Sequence, residues 1–563
     1  MKSKKQKKNR FTDYPRYKLV IPFIICIYLI MSMFVPGINK KEILLTVASV
    51  SMVAWFIGER IFPDKVYMED GNRDNKVIYI LLGIFMAGMV LSALFAKDYS
   101  DSSLIGEYDS IITIFGYIVL FYMTYKYGYK KESQWIFRNG IIIIAVITVV
   151  MSIIEFLDIK LALLWIGNED SLYEMNRVVL SFGNSNYYGA FCCMLIPFVV
   201  KLWMSVEDRI KKSLLILLNA ALICCVLLSK STMAIYLMCL IMMGMLVYGF
   251  KEVIKQWAYI LICAISFGVI VIVLNICSSG KMFELINIGL GNSDAFVEEK
   301  QEVYVVEDIR LEGNRLIVEG DNSEFVIEYD EQIAFYDGEG NALDVESEGS
   351  IIKLTEKPYD MISLEISFNQ REQMLYIELD LGYKETVDFY IANGEFKGVG
   401  ADGKAVDDIT GKYEKHSLNS IFAGRGYIWI NTISMLDEVI FLGKGCGNFV
   451  HVFKQYDYVG LIKSQGTSNI IIDRPHNMFL QYSMDIGIIG TVAIFAMIIY
   501  ILIGWIKRSY KQGLEKSDLS YPAFVSVVAF LVFTLLNDSM IVLSPFMWVC
   551  LGMNNALQQR EKK

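Results

Sequence analysis

The sequence has little histidine, proline or charge. Three histidines and nine prolines stand among 563 residues, and 20% of the chain is charged, against about 25% for soluble domains. Three histidines and ten cysteines exclude a Cys/His-rich metal protein. Eight of the cysteines fall within apolar runs and read as small buried hydrophobes. Cys277 lies near the end of one such run and Cys446 stands outside them all, so no disulfide framework is evident. No Ala-x-Ala-like site follows the first apolar run, which therefore reads as an uncleaved first span behind a basic N-terminus rather than a secretory signal.

Apolar sequence is what the chain has in excess. Hydrophobic residues make up 54% of it and gather in runs of about 20, the length that crosses a bilayer core. That excludes a soluble enzyme and a disordered chain. Twelve runs qualify, near 17–37, 42–61, 76–96, 108–128, 136–157, 185–205, 212–229, 231–250, 256–279, 476–503, 520–538 and 541–557. With the N-terminus placed in the cytoplasm, the cytoplasmic loops and tails hold 29 Lys+Arg and the short external loops six, as the positive-inside rule requires. Both termini are then cytoplasmic, and residues 280–475 form one long extracytoplasmic loop.

The net charge of −9 conceals two opposite parts. Between Gly280 and Pro475 there are 17 basic and 36 acidic residues, so this stretch carries −19 and the remainder +10. An acidic exterior is a poor partner for nucleic acid, whose phosphates call for Lys and Arg.

The external loop has two textures. From about 297 to 414, eight short runs mostly alternate apolar with polar residues: Val303–Ile309, Arg315–Glu319, Glu324–Tyr329, Gln332–Tyr336, Ile351–Leu354, Met361–Phe368, Met374–Leu381 and Thr386–Ile391. Turn signals such as Glu312-Gly313-Asn314 and Asp337-Gly338-Glu339-Gly340-Asn341 separate them, which predicts strands of a sandwich or jelly roll. Binding of a carbohydrate or partner and a spacer role both fit this region. From about 417 to 475 the pattern is helical and glycine-punctuated, and predicts an external helical hairpin lying over the membrane. The expected fold is thus an α-helical polytopic membrane protein of about 12 transmembrane helices with an inserted extracytoplasmic β-rich, sandwich-like domain. Its parts are spans one to nine (1–279), the β-rich insertion (280–416), the hairpin (417–475) and spans ten to twelve (476–563).

Four stretches carry a family resemblance. Arg177–Ala190 reads RVVLSFGNSNYYGA, Ser229–Ala234 reads SKSTMA, Gly424–Trp429 pairs with Gly443–Phe449, and Pro475–Gly490 reads PHNMFLQYSMDIGIIG. In this order, all on the expected outer face, they resemble the O-antigen ligase/polymerase family of membrane glycosyltransferases, which use polyprenyl-pyrophosphate-linked glycans. Ser185 stands where the family usually has proline, and Lys230 or Thr232 where it has an arginine. Relative to the simplest members, 297–414 is an insertion.

The resemblance implies transfer of a glycan from a polyprenyl pyrophosphate to an acceptor hydroxyl on the outer face. The departing pyrophosphate gathers negative charge that nearby cations stabilise, and arginine suits phosphate oxygens. The acceptor hydroxyl must lose a proton, and histidine titrates near the working pH. His476, heading the tenth span, is the candidate base, a role taken from the family; its plainer reading is a helix cap or interface anchor. Arg425, Arg177 and Arg474 are the pyrophosphate candidates, with Lys230 a weaker one, against the plainer reading of surface ion pairs. Asn477, Gln481 and Asp485 form a supporting polar stripe at i, i+4 and i+8. Lys444 sits in a turn whose glycines read as turn geometry, since no strand precedes them as a phosphate loop needs.

A glycosyl pyrophosphate is already activated, so no metal and no cofactor are expected. His416 and His451 lack ligand partners at metal-binding spacing. Asp98, Glu155, Asp158 and Asp538 read as residues near the outer ends of spans, with Glu155 a candidate to face the bundle. The implied partners are the lipid-linked glycan, a saccharide acceptor, the bilayer of a bacterial cell membrane and other polysaccharide-assembly proteins.

The first expectation is a polymerase of repeat units, and the runner-up a ligase moving the finished chain to a lipid, wall or protein acceptor. A lipid-linked glycan transporter is the rival of another class; against it, the halves show no internal repeat. A sensor or scaffold would need a cytoplasmic output, and the cytoplasmic loops are too short to hold one.

Overall fold

The computed structural model describes the chain from 17 to 558, apart from 35–38, 62–75, 97–108, 158–176, 283–305, 411–418, 513–518 and a few positions between them. Its contacts divide it into two units. A helical unit comprises 1–90, 101–294 and 489–563, and a second unit 91–100 and 295–488.

The helical unit holds α1 (Tyr17–Phe34), α2 (Lys40–Ile61), α3 (Lys76–Phe95, its last turn in the second unit), α4 (Ile111–Tyr127), α5 (Lys131–Phe156), α6 (Ser185–Ser205), α7 (Arg209–Leu228), α8 (Thr232–Ile254) and α9 (Trp257–Cys277). After the second unit, the chain returns as α14 (Ile488–Gln512), α15 (Ser520–Phe533) and α16 (Ser544–Gln558). Among the described residues six helices are long and apolar enough to span a bilayer, and four shorter apolar helices accompany them. The chain is a multi-pass membrane protein.

The most enclosed of these helices is α6, which packs against α5, α7, α8 and α15. Asn184 caps its start by accepting from Asn186 N at 2.8 Å. Pro197 removes one helical donor from its interior, and in a bilayer no water replaces it. Ser526 of α15 supplies a donor close by, bonding the Met194 carbonyl at 2.6 Å. At the opposite extreme, α9 leaves Ile265, Ile272 and Ile276 exposed, as a lipid-facing helix does.

The second unit begins with eleven strands: β1 (Val306–Glu312), β2 (Arg315–Gly320), β3 (Glu324–Asp330), β4 (Gln332–Asp337), β5 (Val345–Glu348), β6 (Ile351–Leu354), β7 (Ser363–Asn369), β8 (Met374–Asp380), β9 (Thr386–Ala392), β10 (Glu395–Val399) and β11 (Ala405–Val406). They form two antiparallel meanders, a four-stranded sheet β1-β2-β3-β4 and a seven-stranded sheet β11-β10-β9-β8-β7-β6-β5. Alternate residues of both face one core, Ile309, Leu316, Val318, Phe325 and Ile327 from the first sheet meeting Leu364, Ile377, Leu379, Phe389 and Phe396 from the second. Each of the eight expected runs overlaps a strand, and residues 303–305 of the first lie outside the described residues. The expectation lacked β5, β10 and β11. Val345–Glu348 is exposed along its whole length and shows no apolar alternation to read.

Helices α10 (Arg425–Ser434), α11 (Phe449–Val452), α12 (Tyr458–Gln465) and α13 (Met478–Ile486) complete this unit. Tyr458 and Val459 of α12 enter the β core, and Tyr458 donates to the Asp388 carbonyl at 2.7 Å. Ser468 donates from both backbone and side chain to Glu385, so the hairpin and the sheets share one interior.

One boundary differs from expectation. The single run 476–503 is two helices, α13 and α14, broken at Gly487 with φ +88°. A side chain there would meet the Phe441 carbonyl at 2.7 Å, so both the backbone angle and the close approach require glycine. His476 therefore does not head the span. It lies a whole short helix upstream of it.

Candidate functional site

His476 is not helical. Its φ is +51°, a left-handed conformation that costs a non-glycine residue about 1–3 kcal/mol. Bonds on both sides hold it there. Asn477 caps α13, its Oδ1 accepting from Phe479 N at 2.9 Å and Leu480 N at 3.1 Å. Trp429 of α10 donates its indole N–H to the Pro475 carbonyl at 2.9 Å. His476 itself is half-buried.

Arg425 opens α10 one turn before Trp429, so the two share a helix face. The start of α10 is tied to the end of α12 by Gln465 Nε2, which bonds the Gly424 carbonyl at 2.9 Å. Between Arg425 and Trp429, Tyr427 donates to Asp457 at 2.7 Å. Asp457 is fully buried, and its other oxygen accepts from Gly460 N at 3.0 Å, capping α12. Sequence reasoning passed over Asp457; its signal is an aspartate three residues before Gly460 at the start of a helix.

The other residues of this unit do more local work. Arg474 places Nε and Nη2 3.2 and 3.1 Å from one oxygen of Asp473, so an adjacent carboxylate answers its charge. Lys444 pairs with Glu438 at 2.7 Å. Asn477 is the cap, while buried Asp485 accepts from Gly447 N at 3.2 Å. Lys444 N and Gly445 N bond the carbonyls of Met484 and Asp485 at 2.7 and 3.1 Å. A side chain at Gly443 would lie 2.3 Å from the Asp485 backbone, so the glycine serves close approach.

Arg177 and Lys230 belong to the helical unit, where the segments 177–190 and 229–234 meet. Val178 N bonds the Leu228 carbonyl at 3.1 Å, and Ser231 Oγ donates to Asn186 at 2.6 Å. A side chain at Gly189 would collide with Ala234 and Ser229 at 2.5 and 2.8 Å. Arg177 is exposed and Lys230 half-buried with φ +51°. Glu155 accepts from Val179 N and Leu180 N at 2.9 Å each, so it faces the bundle and fixes the segment that follows Arg177.

Asp538, read from sequence as a residue at a span end, is fully buried, and its carbonyl accepts from Tyr187 at 3.2 Å. Asp109 is another buried carboxylate, with Tyr117 donating at 2.8 Å; nothing in its local sequence marked it. His451 lies within α11, one residue before its end, and is exposed. His416, Asp98 and Asp158 lie outside the described residues. Among those residues, no group of three His, Cys, Asp or Glu side chains could hold a metal ion.

Residues 389–495 match the family model described as O-antigen ligase. The match begins inside β9, spans all of α10 to α13 and ends in the second turn of α14, so it takes in His476, Arg425, Arg474, Asn477, Gln481, Asp485 and Asp457. No curated protein and no solved structure matches the chain.

Proposed function

We propose that the chain, whose residues 389–495 match the O-antigen ligase family model, acts in membrane polysaccharide biosynthesis and transfers a glycan from a polyprenyl pyrophosphate to an acceptor hydroxyl, polymerising repeat units on the carrier. The observation that carries this reading is His476, a non-glycine residue kept left-handed by bonds on either side, inside the matched segment. Strain kept at such cost is characteristic of functional sites.

In the proposed reaction His476 takes the acceptor's hydroxyl proton. The oxygen attacks the anomeric carbon, and the bond from that carbon to the pyrophosphate oxygen breaks. The electron pair leaves with the polyprenyl pyrophosphate. Arg425, one helical turn from the tryptophan that holds Pro475, stabilises that departing charge. Arg177, Arg474 and Lys230 are proposed as further pyrophosphate contacts on the family resemblance alone. A glycosyl pyrophosphate carries its own leaving group, so the reaction calls for neither a metal nor a nucleotide. The proposed placement is a bacterial cell membrane, crossed twelve times, with both termini in the cytoplasm and the β-rich unit outside.

The test is the length of glycan on the polyprenyl carrier in cells carrying His476→Ala, with protein level checked. Single repeat units should accumulate. Long chains on the carrier, with none on the final acceptor, would make the protein a ligase. An unchanged profile would remove His476 from the reaction and leave a lipid-linked glycan transporter as the better reading.

A further inference from the structure

The second unit contains an apolar tip that its own core does not use. Ile440 and Phe441, between α10 and the glycine-rich turn, are 46% and 73% exposed. One membrane helix, whose end belongs to this unit, fixes the level at which this tip sits. It is α3, whose 20 residues measure about 30 Å, the thickness of a hydrocarbon core. Its last turn belongs to this unit, and Ser92 in that turn accepts from Gly443 N at 2.7 Å. Ser92 is three residues short of the end of α3, so the Gly443 backbone lies about 5 Å inside that end.

Backbone at this depth must satisfy its polar groups without water. It does so here. Gly443 N bonds Ser92, Lys444 N bonds Met484, and Gly445 N bonds Asp485. Of the charged neighbours, Lys444 pairs with Glu438, and Asp437 is exposed. Leu94 and Phe95, in the same last turn of α3, are likewise exposed and apolar.

We propose that Ile440 and Phe441 form a wedge inserted among the acyl chains at one face of the bilayer, so that the segment holding His476 is anchored to the lipid surface. A loop that reads as part of an external hairpin lying over the membrane thus takes lipid as its partner. The proposal stands apart from the reaction assigned above, because it rests on burial and hydrogen bonds alone.

The experiment uses the full-length protein in phospholipid vesicles, with the exposed Cys239 and Cys277 replaced by serine. A nitroxide is attached in turn to Phe441→Cys, Ile440→Cys, Leu94→Cys and, on the exposed face of the β region, Phe368→Cys. Collision with oxygen, which concentrates in lipid, is compared with collision with a water-soluble nickel chelate. The expected oxygen-to-nickel ratio at 440 and 441 is several-fold above that at 368 and close to that at 94. A ratio equal to that at 368 would overturn the proposal. Labels shielded from both reagents would report a protein partner on this tip and overturn it as well.

Discussion

The β region and the helical hairpin of the second unit both contain non-glycine residues in the left-handed conformation, for different reasons. In the β region these are Glu331, Gln373 and Asn393, each in a turn between consecutive strands. Asn393-Gly394 closes the two-residue hairpin of β9 and β10, with φ +54° and +81°, the pair of signs that strand twist demands there. In the hairpin they are Phe422 and His476, and in the helical unit Leu180 and Lys230. No strand pairing requires any of these four. Three lie inside the segments that carry the family resemblance, and Phe422 stands two residues before one. The lesson concerns the source of strain. Where local geometry prescribes it, it serves the fold. Where a tertiary bond helps to impose it, as the Trp429–Pro475 bond does at His476, no strand twist calls for it, and strain of this kind clusters at functional sites.

The contrast breaks most sharply at His476. His476→Gly removes the side chain and relieves the backbone at once. If the histidine is the base, glycan transfer should fall about 10²–10⁴-fold while the melting temperature of the purified protein holds or rises. A fall in melting temperature with transfer intact would make His476 a structural cap.

Gly443→Ala should act in the opposite manner. A methyl 2.3 Å from the Asp485 backbone has no room, and the variant should lose about 1–3 kcal/mol in thermal or denaturant unfolding. Asp457→Ala should cost about 1–3 kcal/mol, since it removes the α12 cap and leaves the buried Tyr427 hydroxyl without its acceptor. It should also lower transfer by loosening the helix that carries Arg425 and Trp429; Asp457→Asn, which keeps an acceptor, should recover part of both.

The smallest effect belongs to the β region. Glu365, Glu378 and Asp388 are direct neighbours across three strands. Burial raises the carboxyls of Glu378 and Asp388 above their ordinary range, and the surrounding carboxylates push Glu378 further. Raised folded values mean that the native state holds more protons than the unfolded one. The contribution of these two groups to stability is therefore greatest below the ordinary carboxylate value of about 4 and declines as pH rises through the folded values. Glu378→Gln should gain about 0.2–1 kcal/mol at neutral pH and flatten that decline in a pH series of unfolding curves.

Much of the architecture was legible because apolar period and length report burial directly. The runs 185–205 and 76–96 are α6 and α3 almost to the residue. Strands β1 to β4 follow from alternation and their turn residues. Strand β10 was within reach, since Asn393-Gly394 is a strong hairpin signal followed by the buried Phe396, but its short, glycine-containing run hid it. The break at Gly487 was not legible, because apolar residues continue on both sides of it.

The sequence by itself determined that this protein lives in a membrane, that an acidic β-rich stretch interrupts its spans, and which motifs resemble those of a known family, because hydropathy, charge and residue type belong to the chain alone. The tertiary structure decided what each motif residue does. Arg474 is answered by Asp473, Asn477 is a cap, Asp485 holds a turn, and His476 is bent out of its helix. Those outcomes depend on which carbonyl, carboxylate or indole stands opposite, and two of these partners come from far along the chain: Trp429 lies 46 residues from Pro475, and Gly447 lies 38 from Asp485.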